Sequence, residues 1–377
     1  MTFTPTLSLY VARGFLGATV ATLAALTGLV ALFDFIELLR RAATRPEVGF
    51  DIPATVAALR LPFVALQILP FAILLGGIIA FWRLTRSSEL IVARAAGVSA
   101  WGFLAGPLLV ALALGTAATA GLSPLSSMLL ARAERIEFTK LRTGSGMTTL
   151  AGGRLWLRQS DRGIETQGVA IISGRPVAAR AGDPRRAAPR FELHGVTVWR
   201  MSEADRPLAR IEAPRALLAP GRWVLEDAVV FGADRQATSP ARIEFPTELT
   251  PSRIEDSFAS PETLDVWSLP GFISVLEEAG FSAVRHRIQF HSLLALPLLS
   301  LAMALLAAGF SMRHTRRGGV AQTIAAGVAA GFALFVIDRV AAEFGEAGSL
   351  PVILAAWAPA LSGLLLAVGL LLHLEDG

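Results

Sequence analysis

The chain has 377 residues, of which 53% are hydrophobic and only 17% charged, with a formal net charge of +4. Soluble domains carry about 25% charged residues, so this composition excludes a chain that is globular and water-facing throughout. The absence of cysteine excludes disulfides, thiolate metal sites and a thiol nucleophile.

A helix needs roughly 20 mostly apolar residues to cross a bilayer core. Six segments meet that length: 9–35, 61–82, 101–122, 290–310, 320–340 and 351–372. The first has an apolar run too long for a signal-peptide core and reads as a retained span. Pro70, Pro107, Pro297 and Pro359 fall inside spans, where neighbouring helices are expected to satisfy the carbonyls they free. With the N-terminus cytoplasmic, Arg13, Arg83, Arg86, Arg94, Arg313, Arg316 and Arg317 lie inside, as the positive-inside rule requires. Both chain ends are then cytoplasmic, and Arg40, Arg41, Arg45 and Arg60 lie outside, against the rule.

The loop after the second span contains Ser87, Ser88, Glu89, Leu90, Arg94 and Gly97. A serine cap, an acid near the positive helix end and a terminal glycine predict a short helix over 87–97. It is either a docking helix for a cytoplasmic partner or an amphipathic helix lying on the headgroups.

From about 137 to 261 the character changes to short alternating runs punctuated by Gly and Pro, the pattern of half-buried strands. Runs near 154–158, 168–173, 190–199, 208–218 and 222–231 predict an antiparallel sandwich or jelly roll. A phase slip at Gly195 predicts a bulge or sharp bend. Residues 260–280 read as an amphipathic helix leading to the fourth span.

The chain lacks the G-x-x-x-x-G-K-[ST] phosphate loop, H-E-x-x-H and G-x-S-x-G, which argues against an enzyme and against ATP binding through its own P-loop. His286 and His291 are five residues apart, a poor interval for a shared metal. Arg40, Arg41, Arg45 and Arg60, with Arg132 and Arg135 after the third span and Arg285 and Arg287 before the fourth, gather at one membrane face; they either snorkel to the interface or bind anions such as phosphate. Asp34, Glu37 and Asp338 lie near span ends, where ionisable groups raise a functional question. A proton- or sodium-coupled carrier would place such groups deeper.

The sequence resembles the LptF/LptG family of lipopolysaccharide export permeases over essentially its whole length. The resemblance rests on Phe35-Ile-Glu-Leu-Leu-Arg-Arg, Leu69-Pro-Phe-Ala-Ile-Leu-Leu-Gly and Arg86-Ser-Ser-Glu-Leu-Ile-Val-Ala-Arg-Ala-Ala-Gly-Val-Ser. Gly153-Arg-Leu-Trp-Leu-Arg, Leu264-Asp-Val-Trp-Ser-Leu-Pro and the glycine-rich fifth span with Asp338 complete it. The Leu-Trp-Leu opening of the middle domain is closer to the LptG branch than to the LptF branch.

The resemblance implies a six-helix membrane bundle (1–135 and 263–377) with an inserted periplasmic all-β jellyroll (136–262), in the inner membrane of a Gram-negative bacterium. It implies no cofactor in this chain: ATP and Mg2+ are used by an LptB-like ATPase dimer. Other implied partners are an LptF-like permease forming a heterodimer, an LptC-like bitopic protein and lipopolysaccharide itself. Ser88, Glu89, Leu90, Arg94 and Gly97 become the ATPase-coupling helix. Arg40, Arg41, Arg132 and Arg135 become lipid-phosphate ligands, and Asp34, Glu37 and Asp338 gate-associated residues on the lateral-gate first and fifth spans. Asp34 stands where some family members carry a further basic residue. The competing readings are the LptF branch of the same family, a membrane scaffold whose β domain binds another protein, or a secondary carrier.

Overall fold

The computed structural model describes residues 5–44, 48–87, 89, 92, 99–140, 148–151, 154–161, 168–177, 191–202, 206–232, 237–247, 249–250, 254, 258, 260–278, 281–311 and 320–375. The chain divides into two compact units, one of residues 1–142, 262–269 and 284–377, the other of residues 143–261 and 270–283.

The first unit is helical. Its helices are α1 (Pro5–Ala42), α2 (Asp51–Arg86), α3 (Ala100–Ala117), α4 (Ser123–Lys140), α6 (Val284–Ser311), α7 (Val320–Glu346) and α8 (Val352–Glu375). Among the described residues, six helical stretches are long and apolar enough to cross a membrane. Several outrun the expected spans: at 1.5 Å per residue, α1 is about 57 Å long, against about 30 Å of hydrocarbon. The third span was expected to end near residue 122, yet the helix continues through a π turn (Ala118–Leu122) into α4.

Pro124 is the physical reason for that turn. It has no N–H to give the carbonyl of Ala120, so the helix widens just before it. The freed Ala120 carbonyl accepts a hydrogen bond from Trp267 Nε1 at 3.3 Å. Pro297 in α6 likewise frees the carbonyl of Leu293, which accepts from Thr119 Oγ1 at 2.7 Å. Both bonds meet the requirement that backbone groups in lipid be satisfied within the protein. α3 and α6 can approach this closely because Gly115 stands at the crossing: a Cβ there would lie 2.6 Å from Pro297 Cα.

The core of the bundle is apolar. α1 packs on α2 through Phe15 and Phe81, whose rings are 5.8 Å apart. At Gly76 the backbones come so close that a Cβ would lie 2.5 Å from Thr19 Cα. α7 packs on the same helix through Phe335 against Phe71, 6.1 Å apart. Leu299, Met303 and Ala307 of α6 fill the centre with Leu69, Ile73 and Leu74 of α2.

The second unit is an antiparallel sheet of β1 (Thr148–Ala151), β2 (Arg154–Asp161), β3 (Gly168–Val177), β4 (Phe191–Met201), β5 (Pro207–Ala219), β6 (Arg222–Glu226), β7 (Val229–Gly232), β8 (Ala237–Thr238) and β9 (Arg242–Pro246). The path β1-β2-β3-β4-β5-β6-β9 is a meander closed by β9, while β7 pairs with β5 and β8. The sheet folds over its own core, because Gln159 of β2 reaches Trp223 of β6 and Thr247 beyond β9. The two facing layers expected of a sandwich are therefore made from one continuous sheet.

The fold line is visible in the register. Gly195 has φ +57°, and the β3–β4 pairing shifts by one residue there, from Ser173↔Thr197 to Arg175↔His194. Buried residues on β4 change phase from Leu193 to Val196, as the slip predicts. Arg154 spans the bend, donating from Nη2 to the Gly195 carbonyl at 2.9 Å and from Nε to Ser173 Oγ at 3.1 Å. The single strand expected over 222–231 is interrupted at Asp227, whose φ is +51°. Pairing with β5 nevertheless keeps its register across the break, from Arg215↔Glu226 to Glu212↔Val229.

The helix expected over 260–280 is shorter. A 3-10 turn (Pro261–Thr263) comes first, and α5 (Leu269–Glu278) follows. Asp265 Oδ1 accepts from the N–H groups of Trp267 and Ser268, both at 2.8 Å, making a turn there. Pro270 lacks an N–H and fits only a helix's first turn, so the helix starts beside it. Leu276 and Phe281 then bury against the sheet core with Trp223, Phe191 and Phe258.

Candidate functional site

The last turns of α1 carry Asp34, Glu37, Arg40 and Arg41. Helical spacing puts 37 beside 40 and 41 on one face. Arg40 donates from Nε and Nη2 to the two oxygens of Glu37, each at 2.8 Å. Arg41 donates from Nε to Glu37 Oε1 at 2.9 Å. Glu37 thus accepts three charge-assisted bonds, two of them a planar fork, the strongest geometry for such a pair.

Two residues outside α1 join the cluster. Arg60 of α2 donates to Asp34 Oδ1 at 2.9 Å and to Glu137 of α4. Arg41 reaches the other oxygen of Glu137 at 3.3 Å. Glu137 therefore ties α1 and α2 to α4, and three arginines are balanced by three carboxylates. Beside them Leu38, Val56, Ala57 and Ala133 form a small apolar cluster where the same three helices meet.

Exposure grades the cluster. The Glu137 side chain is 8% exposed and Arg60 22%, whereas Glu37 is 38% and Arg40 75% exposed. Arg60 Nε is buried and has no hydrogen-bond partner among the described residues.

The remaining candidates are placed differently. Arg132 and Arg135 are exposed on α4, on the side away from buried Leu130, Ala133 and Glu137. Among the described residues no ion pair holds either of them. Asp338 is half-buried on α7, and no described hydrogen bond or ion pair joins it to the α1 cluster. Its neighbour Arg339 lies over the ring of Phe335 at 5.8 Å. His291 Nδ1 faces Trp357 Nε1 at 3.4 Å, a polar contact within the bundle.

Ser87, expected as a possible cap for the next helix, is the C-cap of α2: its N–H bonds the Arg83 carbonyl at 3.0 Å. Its hydroxyl also donates to Glu89 Oε1 at 2.9 Å. Glu89 is half-buried and helical, and Val92, also helical, is 67% exposed. Ser88, Leu90, Arg94 and Gly97 lie outside the described residues. On the far side of the loop, Ser99 caps α3, its hydroxyl accepting from Gly102 N–H at 3.2 Å.

Sequence reasoning missed Glu137, which it used only as the edge of the β region. Its spacing from Leu130 and Ala133 puts it on the buried stripe of α4, the signal that marks it. Arg60 stands out in the sequence only as one of several arginines on that side.

α1 and α7 are the helices with the least of their apolar surface buried inside the chain. Leu29, Leu32, Phe33 and Ile36 on α1, and Phe332, Val336, Ile337 and Val340 on α7, remain exposed. Such faces suit lipid or a partner helix.

The model of the family "Lipopolysaccharide export system permease LptF/LptG" matches residues 9–373. The lipopolysaccharide export system permease protein LptG of Haemophilus influenzae is 23% identical over 367 residues, covering 94% of this chain and 95% of the relative. LptG of Escherichia coli K12 is 23% identical over 374 residues, 97% of each. With six long apolar helices, an inserted antiparallel β unit and a family match spanning nearly its full length, the chain belongs to the LptF/LptG family of lipopolysaccharide export permeases.

Proposed function

We propose that this chain is the LptG-like half of an ABC-type exporter that lifts lipopolysaccharide out of a Gram-negative inner membrane and hands it to a periplasmic bridge. The observation that carries this reading is the chain-long family match to six spans and a β unit without a phosphate-binding loop. A permease so built needs its energy from elsewhere, which an LptB-like ATPase dimer using ATP and Mg2+ supplies. The relatives named LptG favour that role over the LptF role.

In this reading the exposed apolar faces of α1 and α7 meet an LptF-like permease and an LptC-like membrane helix. Both chain ends are cytoplasmic, and the β unit is periplasmic. Ser88, Glu89, Leu90, Arg94 and Gly97 engage the ATPase. Arg40, Arg41, Arg132 and Arg135 take the phosphates of lipid A, with Asp34, Glu37 and Asp338 at the gate.

The test is purification of the full chain from native membranes in mild detergent, with mass spectrometry of its protein partners and bound lipid. The expected result is co-purification of a second permease, an ABC ATPase and lipopolysaccharide. Recovery without an ATPase would overturn the reading. Glu89→Arg is expected to reduce ATPase association at least tenfold, and unchanged association would remove Glu89 from the contact.

A further inference from the structure

The three bonds that Glu37 accepts have the form of a bound anion. Its two oxygens occupy both arms of the Arg40 fork and the Nε of Arg41. These are the donors a phosphate oxygen pair requires. Arg40 and Arg41 therefore cannot present their full donor sets to a headgroup while Glu37 holds them.

We propose that Glu37 is a built-in competitor: it fills the arginine site in the empty state and is displaced when an anionic headgroup arrives. This rests on the reading that Arg40 and Arg41 bind phosphate groups of a lipid. The exposure gradient says which carboxylate yields. Glu37 and Arg40 are 38% and 75% exposed, and an exposed ion pair is worth little and exchanges readily. Glu137, 8% exposed and shared by Arg41 and Arg60, is expensive to strip of its partners. Arg60 also keeps Asp34.

Exchange therefore runs at one end only. Glu37 swings out, Arg40 and Arg41 turn their forks to the phosphate, and Glu137 keeps Arg41 and Arg60 anchored to α4. The competitor lowers the affinity of any headgroup that must take both arginine forks, and leaves untouched a neutral headgroup that does not. It also keeps the guanidinium groups ordered between substrates. Glu37 thus sets the affinity of the arginine site, and Glu137 acts as the positioning residue of Arg41 and Arg60.

The experiment uses the full chain with its co-purified partners in nanodiscs, titrated with bisphosphorylated lipid A, dephosphorylated lipid A and inorganic pyrophosphate. Glu37→Gln keeps the size of the side chain and removes its charge. It is expected to tighten bisphosphorylated lipid A about threefold, the scale of an exposed pair, and to leave dephosphorylated lipid A, which has no phosphate for the arginines, unchanged. Glu37→Ala is expected to do the same, which guards against an artefact of one replacement. Weaker or unchanged binding in both variants would overturn the competitor role. Arg40→Gln with Arg41→Gln separates the two levels. Lost lipid binding there with no gain in Glu37→Gln sinks the competitor alone; unchanged lipid binding there sinks the phosphate site itself and the competitor with it. Competition by pyrophosphate as strong as by the lipid would assign the site to free phosphate and overturn the lipid headgroup as its ligand.

Discussion

The β unit and the α1–α2–α4 cluster solve the same problem, polar groups away from water, in different ways. In the β unit Gln159 is neutral and buried. It accepts from Trp223 Nε1 and Thr247 Oγ1 and donates to the Pro246 carbonyl. Every partner is held by the sheet, so this arrangement has one state. In the helical unit the polar groups are charged, and their exposure rises steadily from Glu137 to Arg40. A graded cluster has an inner end that is fixed and an outer end that can exchange. The difference separates polar groups that hold a fold from polar groups able to bind.

Substitutions break this comparison by amounts that follow burial. The largest effect is expected for Gln159→Leu, which leaves Trp223 Nε1 without its acceptor, takes the acceptor of the Thr247 hydroxyl proton, and removes the side-chain donor to the Pro246 carbonyl. At about 1–3 kcal/mol for each stranded buried group, the loss is about 3 kcal/mol. Amide hydrogen exchange of β6 and β9 in the full chain reads it, with α1 and α2 unaffected. Next is Glu137→Ala, which leaves Arg60 and Arg41 without their shared carboxylate. Fully buried pairs cost about 3–5 kcal/mol to break; the partial exposure of both arginines lowers the expectation to about 2 kcal/mol, read as a fall in thermal midpoint in detergent.

Thr119→Val comes third. It removes the donor to the Leu293 carbonyl that Pro297 freed, at a cost of about 1 kcal/mol, typical of interhelical hydrogen bonds in membranes. Faster exchange in the middle of α6 is the readout. The smallest stability effect belongs to Arg40→Gln, at the most exposed position of the cluster. Its thermal midpoint is expected to stay within experimental scatter while lipid binding falls. A midpoint shift as large as that of Glu137→Ala would erase the distinction between the two ends.

The spans were legible because apolar runs of that length have few other uses, and Gly195 was legible because a phase slip on a strand leaves a mark in the alternation. The π turn was not read, although Pro124 stands in the sequence, because its compensation depends on Trp267, 147 residues away. The break at Asp227 was hidden for a related reason: the register survives it, so the alternation from Trp223 to Phe231 looks unbroken. At the site, the arginines were visible as a cluster, but their partners were not. Arg60 and Arg41 meet Glu137 across 77 and 96 residues, and no local pattern records such a pairing. The pairing of Arg40 with Glu37 was within reach, since three-residue spacing on a helix predicts it.

The most direct test sets Glu37→Gln beside Glu137→Gln in one titration of bisphosphorylated lipid A. If the outer carboxylate competes and the inner one positions, the two isosteric changes act with opposite sign: about threefold tighter for Glu37→Gln, and weaker for Glu137→Gln as Arg41 and Arg60 lose their anchor. Shifts of both variants in the same direction would contradict the account.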